Sequence, residues 1–134
     1  MRRDKVVIYL HLIWTTWDRE PFITTEIEPE IYDIIGAMVA RHDARVLKIG
    51  GVADHVHLLI QIASTTRLCD LVKDAKGASS HFAAQRMGAF RWRPTYAAFS
   101  VSRWNKAGLM DYIARQKEHH ANGTLDLRLE DDGE

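Results

Sequence analysis

Two pairs of side chains in this sequence have the type and spacing to do chemistry. In Asp54-His55-Val56-His57-Leu58-Leu59 the two histidines are one residue apart. Side chains alternate across a strand, so on a strand both imidazoles project from one face while Val56 and Leu58 point to the other. Two imidazoles side by side on a rigid strand can chelate one divalent cation, although they need a third ligand, and a lone His-x-His also arises by chance in a chain with seven histidines. The second pair, Tyr112 and Gln116, is spaced i and i+4. On a helix these two lie one above the other, ~5–6 Å apart at their β-carbons. A glutamine carbonyl oxygen is a neutral ligand that leaves a cation's charge available to a phosphate, and the tyrosine hydroxyl then sits where that phosphate would be attacked. Read singly, Tyr112 is a packing residue with its hydroxyl at the surface and Gln116 a good helix former. His119 and His120 follow Gln116 by three and four residues, so at least one shares its face. That histidine either moves a proton or contacts a phosphate, or it is a cation favoured by a helix C-terminus.

The elements that must position these groups follow from hydrophobic periodicity. Lys5–Thr16 is rich in β-branched and aromatic residues and reads as a first strand, with His11 on it as a core histidine or a neighbour of the site. Thr25-Glu26-Ile27-Glu28-Pro29 has the acids and early proline of a helix start, and Ile31, Ile34, Ile35, Met38 and Val39 carry that helix to about Arg41 or His42. Arg45–Val52 and His55–Ile62 read as a hairpin of strands around a tight turn at Ala53-Asp54, where Asp54 most simply shapes the turn. A second helix runs within Thr66–Met87, a fourth strand spans Tyr96–Ser102, and a last helix runs from Trp104 to about Ala121. The acidic tail after Gly123 is expected to fray. This order predicts an α+β fold of the ferredoxin-like kind: a four-stranded antiparallel sheet (βαββαβ) with two helices on one face and an added C-terminal helix. The other sheet face must be covered by the last helix, a second subunit or a ligand.

Size and composition bound the rest. A chain of 134 residues with 46% hydrophobic and 27% charged residues predicts one folded domain, 1–134, that needs no disulfide or structural metal. The single Cys69, the lack of a membrane-length apolar run and a start, Met1-Arg2-Arg3-Asp4-Lys5, without a signal-peptide pattern lead to the expectation of a cytoplasmic protein. Eighteen basic residues balance eighteen acidic ones, yet Ala75–Met110 contains no acid. In that stretch Lys76, Arg86, Arg91, Arg93, Arg103 and Lys106 alternate with Phe82, Phe90, Trp92, Tyr96, Phe99 and Trp104, a combination suited to tracking a phosphate backbone and stacking bases. The same pattern is also compatible with aromatics in the core and arginines on a solvated face.

In order and approximate spacing, five segments resemble the small insertion-sequence transposases that use one catalytic tyrosine, members of the HUH nuclease superfamily, including the REP-associated tyrosine transposases. The segments are His11-Leu12-Ile13-Trp14-Thr15-Thr16, the Asp54–Leu59 stretch, Lys76-Gly77-Ala78-Ser79-Ser80, Tyr96-Ala97-Ala98-Phe99-Ser100-Val101-Ser102 and Tyr112–His120. The resemblance implies His55 and His57 as the histidine metal pair, Gln116 as third ligand, Tyr112 as nucleophile, and His119 and His120 as auxiliary groups. It implies Mg²⁺ or Mn²⁺ as cofactor, with Zn²⁺ also able to bind the histidines, and single-stranded DNA, as hairpins at element ends, as partner. It further implies a homodimer whose subunits share active sites. The reaction would be strand cleavage through a 5′-phosphotyrosine, then rejoining. Lys76, Ser79 and Ser80 are candidate backbone contacts for the DNA; Arg86, Arg91 and Arg93 form a second group, with Trp92 as a stacking surface. The segment Arg91-Trp92-Arg93-Pro94-Thr95-Tyr96 departs from the usual pattern, where relatives often have Gln after the Trp and Gly before the Tyr. Two alternatives stand beside this reading. One is a ferredoxin-like nucleic-acid-binding module without catalysis, although the basic-Gly-aromatic signature of RNA-recognition folds is absent. The other is a domesticated relative acting on chromosomal repeat hairpins.

Overall fold

The computed structural model describes residues 4–133. Its strands are β1 (Ile8–Thr15), β2 (Ala44–Val52), β3 (His55–Ile62) and β4 (Ala97–Val101), joined in the order β2-β3-β1-β4 with every pairing antiparallel. With α1 (Glu28–Ala40) after β1 and α2 (Leu68–Met87) after β3, this is the ferredoxin-like arrangement that the hydrophobic pattern predicts. β1 starts three residues later than its composition suggests, and α2 two residues later.

Alternation along the two central strands divides the sheet. Leu12 and Trp14 of β1 and Val56, Leu58 and Ile60 of β3 face the helices, where they pack with Ile31, Ile35 and Val39 of α1 and Leu71, Val72, Ala75 and Ala83 of α2. Leu58 is fully buried in this layer, so Leu58→Ala is expected to cost about 2–5 kcal/mol in chemical denaturation without altering the histidine face.

The opposite face carries the strand histidines. It carries Tyr9, His11, Ile13 and Thr15 of β1 opposite Gln61, Leu59, His57 and His55 of β3. The C-terminal segment of the same chain covers it: Leu109 and Ile113 pack on Tyr9 and Leu59, with Leu47, Val101, Met110 and Leu129 around them.

That segment is not the single helix expected for 104–121. It is α3 (Lys106–Ala114) and α4 (Gln116–Asn122), separated at Arg115, whose φ of −108° and ψ of 24° leave the helical region. No proline or glycine marks the break, and so the periodicity runs through it. The acidic tail is also not frayed. Residues 124–133 turn back over the sheet, anchored by Leu129 in the small apolar cluster and by the Asp126 N–H donating to Tyr112 Oη at 3.1 Å.

Gly50 sets how closely α3 can approach. It pairs with His57 across the β2–β3 ladder, and a β-carbon built on it would lie 2.3 Å from the Ile113 carbonyl oxygen. The helix backbone thus rests on bare strand, next to His57. Gly50→Ala is expected to push α3 off the sheet, costing roughly 1–3 kcal/mol in chemical denaturation. Unchanged stability would mean that the helix has room to move.

Candidate active site

The fold brings His55, His57, Tyr112, Gln116 and His120 to one place. His55 Nε2 is 3.3 Å from Gln116 Oε1, and His120 Nε2 is 3.2 Å from the same oxygen. The His55 and His57 ring centres are 5.1 Å apart, and the Tyr112 ring stands edge-on to His57 at 6.3 Å. His119 stacks on Tyr112 with a 4.6 Å centroid separation and an interplanar angle of 22°. Both of these histidines therefore touch the cluster: His120 through Gln116, His119 through the tyrosine ring. The break at Arg115 keeps Tyr112 and Gln116 on the same side, and both are buried.

Each strand histidine is oriented through its Nδ1. His55 Nδ1 is 2.6 Å from the Asp54 carboxylate, and His57 Nδ1 is 2.9 Å from His11 Nε2. Both present Nε2 inward. Asp54 thus does more than shape the turn, since it fixes the His55 ring. Burial pulls the His55 pKa down, but the hydrogen bonds and charges of Asp54 and Glu130 outweigh it and leave the group raised to about 9. His57 is held below the usual imidazole value by burial, and His11 is lowered to about 4 by burial and by His57. Burial and Glu130 push the Tyr112 hydroxyl up to about 12.

Sequence reasoning missed Glu130. One carboxylate oxygen lies 3.3 Å from His55 Nε2, 3.2 Å from His57 Nε2 and 3.4 Å from His120 Nε2. The other accepts from the Tyr112 hydroxyl and, at 3.0 Å, from Gln116 Nε2. Burial would raise this carboxyl's pKa, yet the histidine contacts hold it well below the usual carboxylate range. The site also includes an unmet donor: Thr15 Oγ1, across from His55 on the same face, is buried without a hydrogen-bond partner.

The residues expected to contact DNA divide into two groups. Ser79 and Trp92 do not face outward: both are buried, and Trp92 Nε1 donates to Ser79 Oγ at 3.0 Å while Ser79 Oγ donates to the Ala75 carbonyl. Trp92 packs edge-to-face with Trp14 and Phe90 in the core and is only 6% exposed, which leaves little surface for a base. Lys76 ties down the loop before β4 through the Arg93 and Thr95 carbonyls, and burial beside Arg93 lowers its pKa to about 8. Lys76→Met is therefore expected to loosen residues 91–96, read as faster amide exchange there. Lys76, Ser80, Arg91 and Arg93 still line an open groove of about 690 Å³ between α2 and this loop, with no acid among the described residues of its walls. Arg91 lies over the Trp17 ring at 3.9 Å, and Arg86 pairs with Glu30 away from the groove.

Residues 4–116 match the family model described as "Transposase IS200 like". The chain belongs to the IS200-like transposase family. This IS200-like transposase is 29% identical over 129 residues to the ISDra2 transposase TnpA of Deinococcus radiodurans, covering 88% of this chain and 92% of the relative. A transposase candidate of Deinococcus radiodurans R1 known from its crystal structure has a TM-score of 0.68 and 25% identity, covering 87% of this chain and 98% of its own. A REP-associated tyrosine transposase bound to a REP hairpin superimposes with the same TM-score of 0.68 at 12% identity, over 93% of this chain and 74% of that one, and shares the fold. Transposases as a class cut and rejoin DNA. Among the described residues no helix is long and apolar enough to cross a membrane.

Proposed function

We propose that this transposase cuts and rejoins single-stranded DNA by transesterification at Tyr112, with a divalent cation, during excision and insertion of a mobile element. The observation that carries this reading is the convergence on one carboxylate, Glu130, of two strand-borne Nε2 atoms, the Gln116 amide and the Tyr112 hydroxyl. Such a set binds a small anion next to a nucleophile.

The donors suit a cation as well. His55 Nε2, His57 Nε2 and Gln116 Oε1 would hold it, with His120 and Glu130 in reach; the ligand atoms of His55, His120 and Glu130 all lie within 4.8 Å of one another. Two imidazoles with an amide oxygen fit Mg²⁺ or Mn²⁺, the imidazoles favouring Mn²⁺. When bound, the ion supplies charge neutralisation and in-line orientation of the scissile phosphate. The chain's own groups do the rest. Tyr112 Oη forms a bond to phosphorus, the P–O3′ bond breaks, and in the net balance the phenol proton ends on the released 3′-hydroxyl. The product is a 5′-phosphotyrosine that keeps the energy of the broken bond. A 3′-hydroxyl attacking that linkage restores the phosphodiester and returns the proton to Tyr112. Gln116 and His119 hold the tyrosine ring and hydroxyl in place, and the acid-free groove between α2 and the 91–96 loop holds the strand.

In this reading the DNA partner is a hairpin at the element's ends, as the hairpin-bound structural neighbour suggests, and a homodimer brings together the two ends to be joined. Within one chain Tyr112 and Gln116 already lie beside His55 and His57, which supports a tyrosine that acts in cis. A domesticated enzyme acting on repeat hairpins would use the same chemistry, and paired subterminal hairpins flanking the gene identify the mobile element instead.

The test is denaturing electrophoresis of the protein with labelled single-stranded DNA from its gene flanks, with Mn²⁺, Mg²⁺ or a chelator. A retarded covalent species that forms only with metal and carries the label on the 3′ side of the break is expected. DNA that binds without ever forming this species overturns the catalytic reading and leaves a binding module.

A further inference from the structure

The contacts of the tail are those a DNA strand would need. Glu130 places one oxygen among the histidine Nε2 atoms and the other against the Tyr112 hydroxyl and Gln116 Nε2. The Tyr112 oxygen is occupied from both sides, because it donates to Glu130 and accepts from the Asp126 N–H. Two residues further on, Asp132 pairs with Arg19 and lies 3.9 Å from Arg93, its side chain only 9% exposed. Arg19 belongs to a 3-10 turn after β1 in which Asp18 and Arg19 both take positive φ, 56° and 52°. Two successive non-glycine residues in that region are strained, and the turn aims a guanidinium at Asp132 and Asp54.

We propose that residues 124–133 lie in the path of the DNA strand: Glu130 stands where the scissile phosphate goes, and Asp132 stands where a neighbouring phosphate is held by Arg19 and Arg93. The inference rests on the single-stranded DNA reading above. A carboxylate and a phosphate diester are both singly charged anions that accept charge-assisted hydrogen bonds from the same donors, so the two compete for one position. A phosphate cannot reach Tyr112 Oη while Glu130 is bonded to it. The tail is a tethered competitor whose effective concentration is high, which keeps the site closed to weakly bound, nonspecific strands. Binding a cognate strand requires the tail to leave. The assignment adds Arg19, which lies outside the basic stretch 75–110, to the strand-binding surface.

The apparent affinity for DNA is the intrinsic one reduced by the fraction of molecules with the tail displaced. Neutralising the two anchors raises that fraction while keeping Leu129, and hence the apolar cover of the sheet, intact. Fluorescence anisotropy with a labelled single-stranded oligonucleotide from the gene flanks, in chelator, compares the wild-type chain with Glu130→Gln/Asp132→Asn. The double variant is expected to bind at least about tenfold more tightly. Asp111→Asn/Glu118→Gln removes the same number of charges at exposed positions paired with Arg115 and is expected to change affinity by less than about twofold. Hydrogen exchange on the wild-type chain gives a second readout: amides of residues 124–133 lose protection when the oligonucleotide binds. Equal tightening by both double variants, or a tail that keeps its protection with DNA bound, overturns the proposal while leaving the DNA reading intact. Absence of binding by the wild type and every variant overturns the DNA reading instead.

Discussion

Tyr112→Phe is expected to abolish the covalent protein–DNA species while leaving fold and DNA binding in place. The substitution removes one oxygen. The ring keeps its stack on His119 and its edge contact with His57, so α3 stays seated on the sheet. Glu130 loses one of its donors but keeps the histidines and Gln116 Nε2. Chemistry responds differently, since without Oη nothing at this position can form the phosphorus bond. Removing a nucleophile costs on the order of 10⁴-fold or more, below detection in an electrophoretic assay. The outcome is diagnostic because the other three tyrosines have other jobs. Tyr9 packs in the small cluster beneath α3, and Tyr32 and Tyr96 pack against the core on the helical face. An adduct that persists in Tyr112→Phe would assign the nucleophile to another residue and remove the reason for α3 to lie where it does.

The parts of this site that were legible in the sequence are those governed by regular periodicity. A strand puts His55 and His57 on one face whatever else surrounds them, and helical spacing brings Tyr112 and Gln116 together even though the helix breaks between them at Arg115. The other parts depend on tertiary contacts that leave no local pattern. Glu130 is one acid in a run of acids, and it reaches the histidines only because Leu129 is drawn into the apolar cluster and the chain is tied at Asp126. Similarly, a basic and aromatic run does not say which aromatics are buried. Trp92 went to the core, since its indole N–H finds Ser79 and its ring packs edge-to-face with Trp14 and Phe90. Gly50 carries no signal without the helix that rests on it.

His57→Ala is expected to have the other large effect, and the reason lies in a histidine behind it. His57 is fully buried, with Nδ1 against His11 Nε2 and Nε2 turned toward Glu130. For Nε2 to offer its lone pair to a cation, the His57 proton must be on Nδ1, donated to His11 Nε2. His11 can accept it, because its pKa, lowered to about 4, keeps the ring neutral at neutral pH. His57→Ala removes a proposed ligand and also leaves His11 without its partner, a buried polar group that costs about 1–3 kcal/mol. Loss of Mn²⁺ binding by calorimetry, loss of the DNA adduct and a lower denaturation midpoint should therefore come together. His11→Phe separates these effects. It keeps the proposed ligand His57 and fills the space but removes the acceptor that selects the tautomer, so Mn²⁺ affinity is expected to fall roughly 10–100-fold with Nε2 still in place. An unchanged Mn²⁺ affinity in His11→Phe would mean that His57 needs no partner to choose its tautomer. Full Mn²⁺ affinity in His57→Ala would move the cation away from this strand and place its ligands among His55, His120 and Glu130.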